Sequence, residues 1–165
     1  MTRLDFYHYL YNELLNAIDN DFNLTFYFSG PIENNYPDIK GAFLYRCLKC
    51  GLLVEFEPQY YDGKITTTEE LVKYVLKNEF TLDGKHDSIY LSVWLSRFSS
   101  SERVGDLAEK YDLLSYDEYD RLNYVEYDIN DGSGMQYFIK DIETIFAENG
   151  VPWDREAPLN VLGEF

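Results

Sequence analysis

The chain has 165 residues, with 30 Asp and Glu against 14 Lys and Arg and a formal net charge of −16. A chain of this length buries roughly 70% of the surface its unfolded form exposes and needs no disulfide or metal to fold, while 16 Tyr and 11 Phe exclude an acidic disordered segment. Binding to DNA, RNA or anionic lipid rests on Lys and Arg neutralising phosphates, so a surface this negative excludes those three partners.

Leu4, Tyr7, Tyr11, Leu14 and Ile18 are spaced by 3, 4, 3 and 4 residues, which predicts an amphipathic helix with Thr2 as its N-cap and the Asn-Asp run at 19–21 as its stop. Leu24 to Phe28 is short, β-branched and aromatic and reads as a strand, followed by a loop over residues 30–37. Asp38 then caps a second helix with Ile39, Ala42, Phe43, Cys47 and Leu48 on its apolar positions, and Gly51 stands where a helix C-terminus favours positive φ. Leu52 to Phe56 reads as a strand leading to a turn over 59–64. Thr66-Thr67-Thr68-Glu69-Glu70 places hydroxyls ahead of carboxylates, a capping arrangement for a helix from Leu71 to Phe80.

Ser88 to Phe98 carries two periods at once. Leu91, Val93 and Leu95 alternate with period two, whereas Ser88, Ser92 and Ser96 form a polar stripe with period four; helix and strand both fit, and the reading adopted is helix. Glu102 to Tyr111 reads as helix, Tyr116 to Leu122 as a short helix or turn, and Val125, Tyr127 and Ile129 as a strand. Residues 131–134 form a turn, and Gln136 to Glu148 a helix with Phe138, Ile142, Ile145 and Phe146 on one face and Asn149-Gly150 as its stop. The last fifteen residues, with Pro152, Trp153, Pro158, Leu162 and Phe165, read as an extended tail pinned by aromatics. No repeat or linker divides the chain, so the expectation is one α+β domain over 1–165, mostly helical with a small β-sheet.

The start of the chain shows no charged stretch followed by an apolar one, and no apolar run approaches the roughly 18 residues of a membrane span. The expected location is the cytoplasm, which two cysteines without a disulfide framework also suit. Cys47-Leu48-Lys49-Cys50 matches C-x-x-C, but redox dithiols sit at helix N-termini, where the dipole lowers the thiol pKa, and this pair falls at a C-terminus. His8 and His86 are isolated and supply no second zinc ligand pair, so the cysteines read as small hydrophobes. Asp128-Ile129-Asn130-Asp131-Gly132 opens like a calcium loop, yet Gly132 is fifth and Ile139 twelfth where ligands are required, and a solvated turn fits better. Ser133 lacks the G-x-S-x-G spacing, and no glycine loop could cradle a phosphate. The segment from Glu102 to Leu122 has the outline of a helix-turn-helix, but its second element carries Asp117, Glu118 and Asp120 against Arg121 alone, which phosphates would repel. No catalytic, metal-binding or cofactor-binding set emerges.

The charge is lopsided. Residues 101–165 hold 16 acidic and 5 basic side chains, against 14 and 9 in residues 1–100. Within 112–131 the net charge is −6, from Asp112, Asp117, Glu118, Asp120, Glu126, Asp128 and Asp131 against Arg121, with Tyr116, Tyr119, Tyr124 and Tyr127 threaded among them. Like charges this dense repel one another and cost stability, which argues that they have a use. Tyrosine is enriched at interface hot spots, and neighbouring carboxylates steer a basic protein inward. The candidate protein-binding residues are therefore Tyr116, Asp117, Glu118, Tyr119, Asp120, Tyr124, Glu126, Tyr127, Asp128 and Asp131. The competing reading is a solvated face kept for solubility.

In size, charge and tyrosine content the chain resembles the immunity proteins of bacterial toxin–immunity pairs, including those of contact-dependent growth inhibition. The resemblance implies a non-enzymatic protein that binds and neutralises a cognate toxin domain, often a basic nuclease, with carboxylates standing in for phosphates. Two other readings stay open: a nucleic-acid mimic that inhibits a DNA-processing enzyme, and an enzyme whose site involves His86, Asp87 and neighbouring carboxylates in a pocket. Oligomeric state is not legible.

Overall fold

The computed structural model describes residues 3–29, 36–55, 61, 63–78, 80–81, 87–115 and 134–163. Among them are seven α-helices, α1 (Arg3–Asn16), α2 (Leu24–Ser29), α3 (Pro37–Lys49), α4 (Thr68–Lys77), α5 (Tyr90–Trp94), α6 (Glu102–Lys110) and α7 (Met135–Glu148). Three strands, β1 (Phe22–Asn23), β2 (Leu53–Glu55) and β3 (Arg97–Ser100), form an antiparallel sheet in the order β1-β3-β2, and a 3₁₀ turn spans Pro158–Leu162. The architecture is α+β, mostly helical with a small sheet, as expected. None of the described helices is long and apolar enough to cross a membrane.

Every residue from Ile39 to Cys47 of α3 is buried. A helix buried on all sides is a central one, and α1, α2, α4, β2 and the 3₁₀ turn all pack against it. The centre of the fold is strongly aromatic: Phe43 meets Tyr11, Phe146 and Trp153 edge-on, with ring centroids 5.1, 6.0 and 5.8 Å away. Such edge-to-face pairs add to the area they bury. All-round burial also encloses two cations. Arg46 is fully buried; its Nε donates to the carbonyls of Val151 and Pro152, Nη1 to Ala42 and Pro158, and Nη2 to Pro152 at 2.7 Å. Its guanidinium also lies 4.6 Å from the centre of the Trp153 ring. Lys40, equally buried, has its ammonium 5.7 Å from the rings of both Phe6 and Tyr27, and burial pulls its pKa down to about 8, against a smaller opposing effect of Glu13.

Helix termini follow local chemistry closely. Thr67 caps α4 through the Glu70 amide at 3.1 Å while the Glu70 carboxylate returns to the Thr67 amide, so both orphan donors are satisfied. The helix ends at Lys77 rather than at Phe80, because Asn78 turns extended and its side-chain amide takes the Tyr74 carbonyl at 2.8 Å. Gly51, at φ 65°, follows α3, and the Leu52 amide reaches back to the Cys47 carbonyl at 2.8 Å, the hydrogen bond that closes a Schellman motif. Gly150, at φ 74°, closes α7 in the same way through Val151 and Phe146.

Four sequence expectations are corrected. Leu24 to Phe28 is helix, not strand: β1 stops after Phe22 and Asn23 pair with Phe98 and Arg97, and the buried Leu24, Tyr27 and Phe28 have the 3, 4 spacing of one helical face. Asp38 lies in the first turn of α3, which begins at Pro37; the cap is Tyr36, whose carbonyl takes the amides of Ile39 and Lys40. Ser88 to Phe98 divides, with a short helix burying Tyr90, Val93 and Trp94 and then β3. The C-terminal tail is not simply extended: it bends at 155–157, where Asp154 accepts the Glu156 and Ala157 amides, and then forms the 3₁₀ turn, while Trp153 packs against the core as the aromatics suggested. Thr2, the expected strand at 125–129 and the expected element at 116–122 lie outside the described residues.

Two predictions follow from the enclosed cations. Arg46→Met leaves the carbonyls of Val151, Pro152 and Pro158 without their donor, and the expected loss is about 3–5 kcal/mol. Hydrogen exchange should show the amides of 151–162 losing protection first, and Arg46→Lys should not restore it, since an ammonium cannot span the same carbonyls. For Lys40 the folded pKa of about 8 lies below the usual 10.5, so between those values the unfolded chain binds the extra proton and stability rises with pH. Buried Cys47, Tyr11 and Tyr27, all pushed up chiefly by burial, act in the opposite sense above pH 9 to 10. The test is the difference in urea stability between wild type and Lys40→Met, which should move in favour of wild type from pH 8 to 10.5, with both proteins declining above 10.

Candidate functional site

All ten candidate protein-binding residues, Tyr116, Asp117, Glu118, Tyr119, Asp120, Tyr124, Glu126, Tyr127, Asp128 and Asp131, lie outside the described residues, as does the would-be calcium loop. The structure does describe the frame that holds the two ends of that segment. α6 ends with Tyr111 as its C-cap, Asp112 then takes φ 54°, and the Leu113 amide returns to the Ala108 carbonyl at 2.9 Å. This repeats the closure seen after α3 and α7, with aspartate in place of glycine. Leu113 is buried, which fixes the chain just before the acidic run. At the far end, a Cβ built on Gly134 would lie 2.3 Å from the Tyr111 carbonyl oxygen. The segment thus leaves from and returns to one point, the contact between the end of α6 and the start of α7.

That junction has the chemistry expected of the segment itself. The Tyr111 and Tyr137 rings stack with centroids 5.9 Å apart, and Tyr137 is 56% exposed. The Tyr111 hydroxyl donates to Asp141 Oδ2 at 2.6 Å, and Lys110 Nζ donates to the same oxygen at 2.9 Å. These two hydrogen bonds, the tyrosine's first, hold the Asp141 carboxyl below its ordinary range, so it stays charged under mildly acidic conditions. Glu102, Asp106 and Glu109, spaced by 4 and 3 residues, lie exposed along α6 while Val104 and Ala108 face the core. Sequence reading missed Tyr111 and Tyr137 as a pair because they are 26 positions apart and meet only where the end of α6 touches the start of α7.

A second feature is a cleft of about 390 Å³ between the sheet and the start of α4. Leu48, Leu53, Leu71 and Phe98 give it an apolar floor, and Thr66 to Thr68 line one side. At its polar end the Tyr61 hydroxyl donates to Glu55 Oε1 at 2.5 Å and also meets the Oγ of Ser96, itself fully buried, at 2.7 Å. Burial first, and then the hydrogen bond to Glu55, push the Tyr61 phenol well up, so it is a proton-bearing donor rather than a base or nucleophile. Sequence reading did not bring Glu55 and Tyr61 together with Ser96 and Phe98, because those two meetings are long-range contacts made through the pairing of β2 with β3.

The remaining candidates take structural roles. Asp87 accepts the Tyr74 hydroxyl at 2.9 Å and the Ile89 amide at 3.1 Å, fixing the approach to α5, and its sequence neighbour His86 lies outside the described residues. Cys47 is buried and Cys50 half-buried, both are free thiols, and burial raises both pKa values, which suits small apolar side chains and disfavours thiolate chemistry. Among the described residues no three His, Cys, Asp or Glu side chains converge in a way that could hold a metal ion. No known protein family, curated protein or solved structure matches the chain.

Gly134→Ala tests whether the junction is as tight as its geometry. The added methyl meets backbone, which cannot swing aside as a side chain can, so the α6–α7 contact must open. The expected cost is about 1–3 kcal/mol, read as a fall in thermal midpoint of several degrees, with increased hydrogen exchange at residues 111–115. Gly105→Ala on the open face of α6, where an added Cβ meets nothing within 4 Å, is the control and should stabilise.

Proposed function

We propose that this chain is a protein-binding inhibitor, an immunity protein that works in the cytoplasm and neutralises a cognate basic toxin domain, such as a nuclease, without catalysis or a cofactor of its own. The observation that carries this reading is the net charge of −6 packed into residues 112–131 together with four tyrosines. The described flanks support it, because the Tyr111–Tyr137 stack, the charged Asp141 and the exposed carboxylates of α6 are of the same kind.

The mechanism is electrostatic capture followed by burial. Carboxylates raise the local concentration of a positively charged partner and speed association towards about 10⁸–10⁹ M⁻¹s⁻¹ at low salt. Tyrosine rings then bury area with little loss of rotamer freedom, each hydroxyl still finding a polar partner. A toxin that binds nucleic acid has a basic active-site surface by necessity, and a dense carboxylate field occupies it in place of phosphates.

The test is co-expression with the toxin domain encoded beside this gene in its host, which should restore growth, followed by stopped-flow association of the purified pair. Asp117→Lys, Glu118→Lys and Asp120→Lys together should slow association at least tenfold at low salt and flatten its dependence on ionic strength. Unchanged kinetics would overturn the assignment of this segment, and failure to protect would overturn the immunity reading.

A further inference from the structure

We propose that the cleft between the sheet and the start of α4 is a binding site for an organic cation, an ammonium or guanidinium group carried on a short apolar stem. At about 390 Å³ it falls in the lower part of the range of small-molecule pockets. Leu48, Leu53, Leu71 and Phe98 can take a stem of a few carbons, and Glu55 stands at the polar end beside the rings of Tyr61 and Phe98. A cation there is attracted by a carboxylate and by two aromatic rings at once.

Charge and hydrogen bonding decide against the other ligand classes. Among the described residues no Lys, Arg or His belongs to the lining. The two amides just before α4 are taken: Glu70 Oε2 accepts the Thr66 amide at 2.8 Å, the Thr66 hydroxyl at 2.9 Å and the Thr67 amide at 3.1 Å. An anion in the cleft would therefore meet the Glu55 carboxylate with no cationic side chain among the described lining residues to offset it. The Glu55 carboxylate is also held in place. Tyr61 is 8% exposed and donates to Glu55, Ser96 is fully buried against Tyr61, and the Ser96 hydroxyl is in turn within 2.9 Å of the Ser92 carbonyl. A charge fixed by buried neighbours, rather than swinging in solvent, loses little rotamer freedom when a ligand arrives.

The cation can come from a free amine or from a Lys or Arg side chain of a basic protein. The second source rests on the function proposed above; the cleft does not. The experiment titrates the full chain with phenethylamine and agmatine by calorimetry and by NMR of the leucine methyl groups. The controls are 2-phenylethanol, which keeps the shape without the charge, and 3-phenylpropionate, which reverses it. The amines should bind with Kd on the order of 1 mM or tighter and shift the methyl groups of Leu48 and Leu71. Both controls, and amine binding to Glu55→Gln, should be at least tenfold weaker, a difference of about 1.4 kcal/mol. Gln can still accept the Tyr61 hydroxyl, and Leu48→Trp, at a half-buried wall position, closes the cleft without altering Glu55 and should abolish binding independently. Equal binding of amine and alcohol, amine binding that survives Glu55→Gln, or no amine binding at about 10 mM would overturn the proposal. The peptide acetyl-Gly-Arg-Gly-amide separates the sources: its binding at the same methyl groups indicates a protein side chain, and binding of free amines alone a small metabolite. Glu55→Gln should leave the salt-dependent association of the acidic 116–131 segment unchanged, so the failure of one idea is distinguishable from that of the other.

Discussion

The fold depends on a helix that has no outside. Because α3 is enclosed from Ile39 to Cys47, any polar group on it must find its partners within the protein or remain unsatisfied at a cost of several kcal/mol. Arg46 meets this constraint without a carboxylate. Its planar fork engages four backbone carbonyls, three of them from the C-terminal segment. The arrangement ties the C-terminal segment to α3 at three points, Val151, Pro152 and Pro158, through one guanidinium. The C-terminal segment is tied further by Tyr7, whose hydroxyl donates to the Arg155 carbonyl at 3.0 Å, and by Arg155 with Glu143 at 3.2 Å. The Arg155–Glu143 pair is solvent-exposed and weak by comparison, whereas Tyr7 is buried and adds to the fastening by the buried cation.

The same economy of backbone hydrogen bonds recurs where helices stop. α3, α6 and α7 all end with a residue of positive φ followed by an amide that reaches back to the carbonyl five residues before it. At two of them the residue is glycine, which enters that conformation without steric cost, and at the third it is Asp112. Aspartate tolerates the left-handed region better than most side chains but not for nothing. The substitution stands at the head of the stretch where carboxylates are densest, so the local composition favours charge over the cheapest backbone there. This is the pattern expected when a segment answers to something besides stability.

Sequence patterns were most legible where the chemistry was local. The Thr67–Glu70 capping box, the positive φ of Gly51, and the apolar face and Asn149-Gly150 stop of α7 are each decided within a few residues. Legibility failed where distant contacts overrode local preference. Leu24 to Phe28 has the composition of a strand, but pairing with β3 is confined to Phe22 and Asn23 just before it, and Leu24, Tyr27 and Phe28 bury on one helical face instead. Ser88 to Phe98 showed both periods because it contains both elements. The cleft was invisible for the related reason that Glu55, Tyr61, Ser96 and Phe98 meet only through the pairing of β2 with β3 and the turn before α4.

The enclosed cations also bear on the exterior. Lys40 and Arg46 are two of the 14 basic side chains, and neither reaches the surface. Several others are already joined to carboxylates, Lys73 to Glu69, Arg97 to Asp21, Lys110 to Asp141 and Arg155 to Glu143. A partner approaching from solvent therefore meets an array with fewer accessible positive groups than the composition suggests. Because screening weakens interactions beyond roughly 8–10 Å at physiological salt, the groups a partner feels at close range are the surface ones. The enclosed charges still act from below, Lys40 on Glu13 and Arg46 on Asp154, so the residues that secure α3 and the C-terminal segment offset part of the surface charge without being accessible themselves.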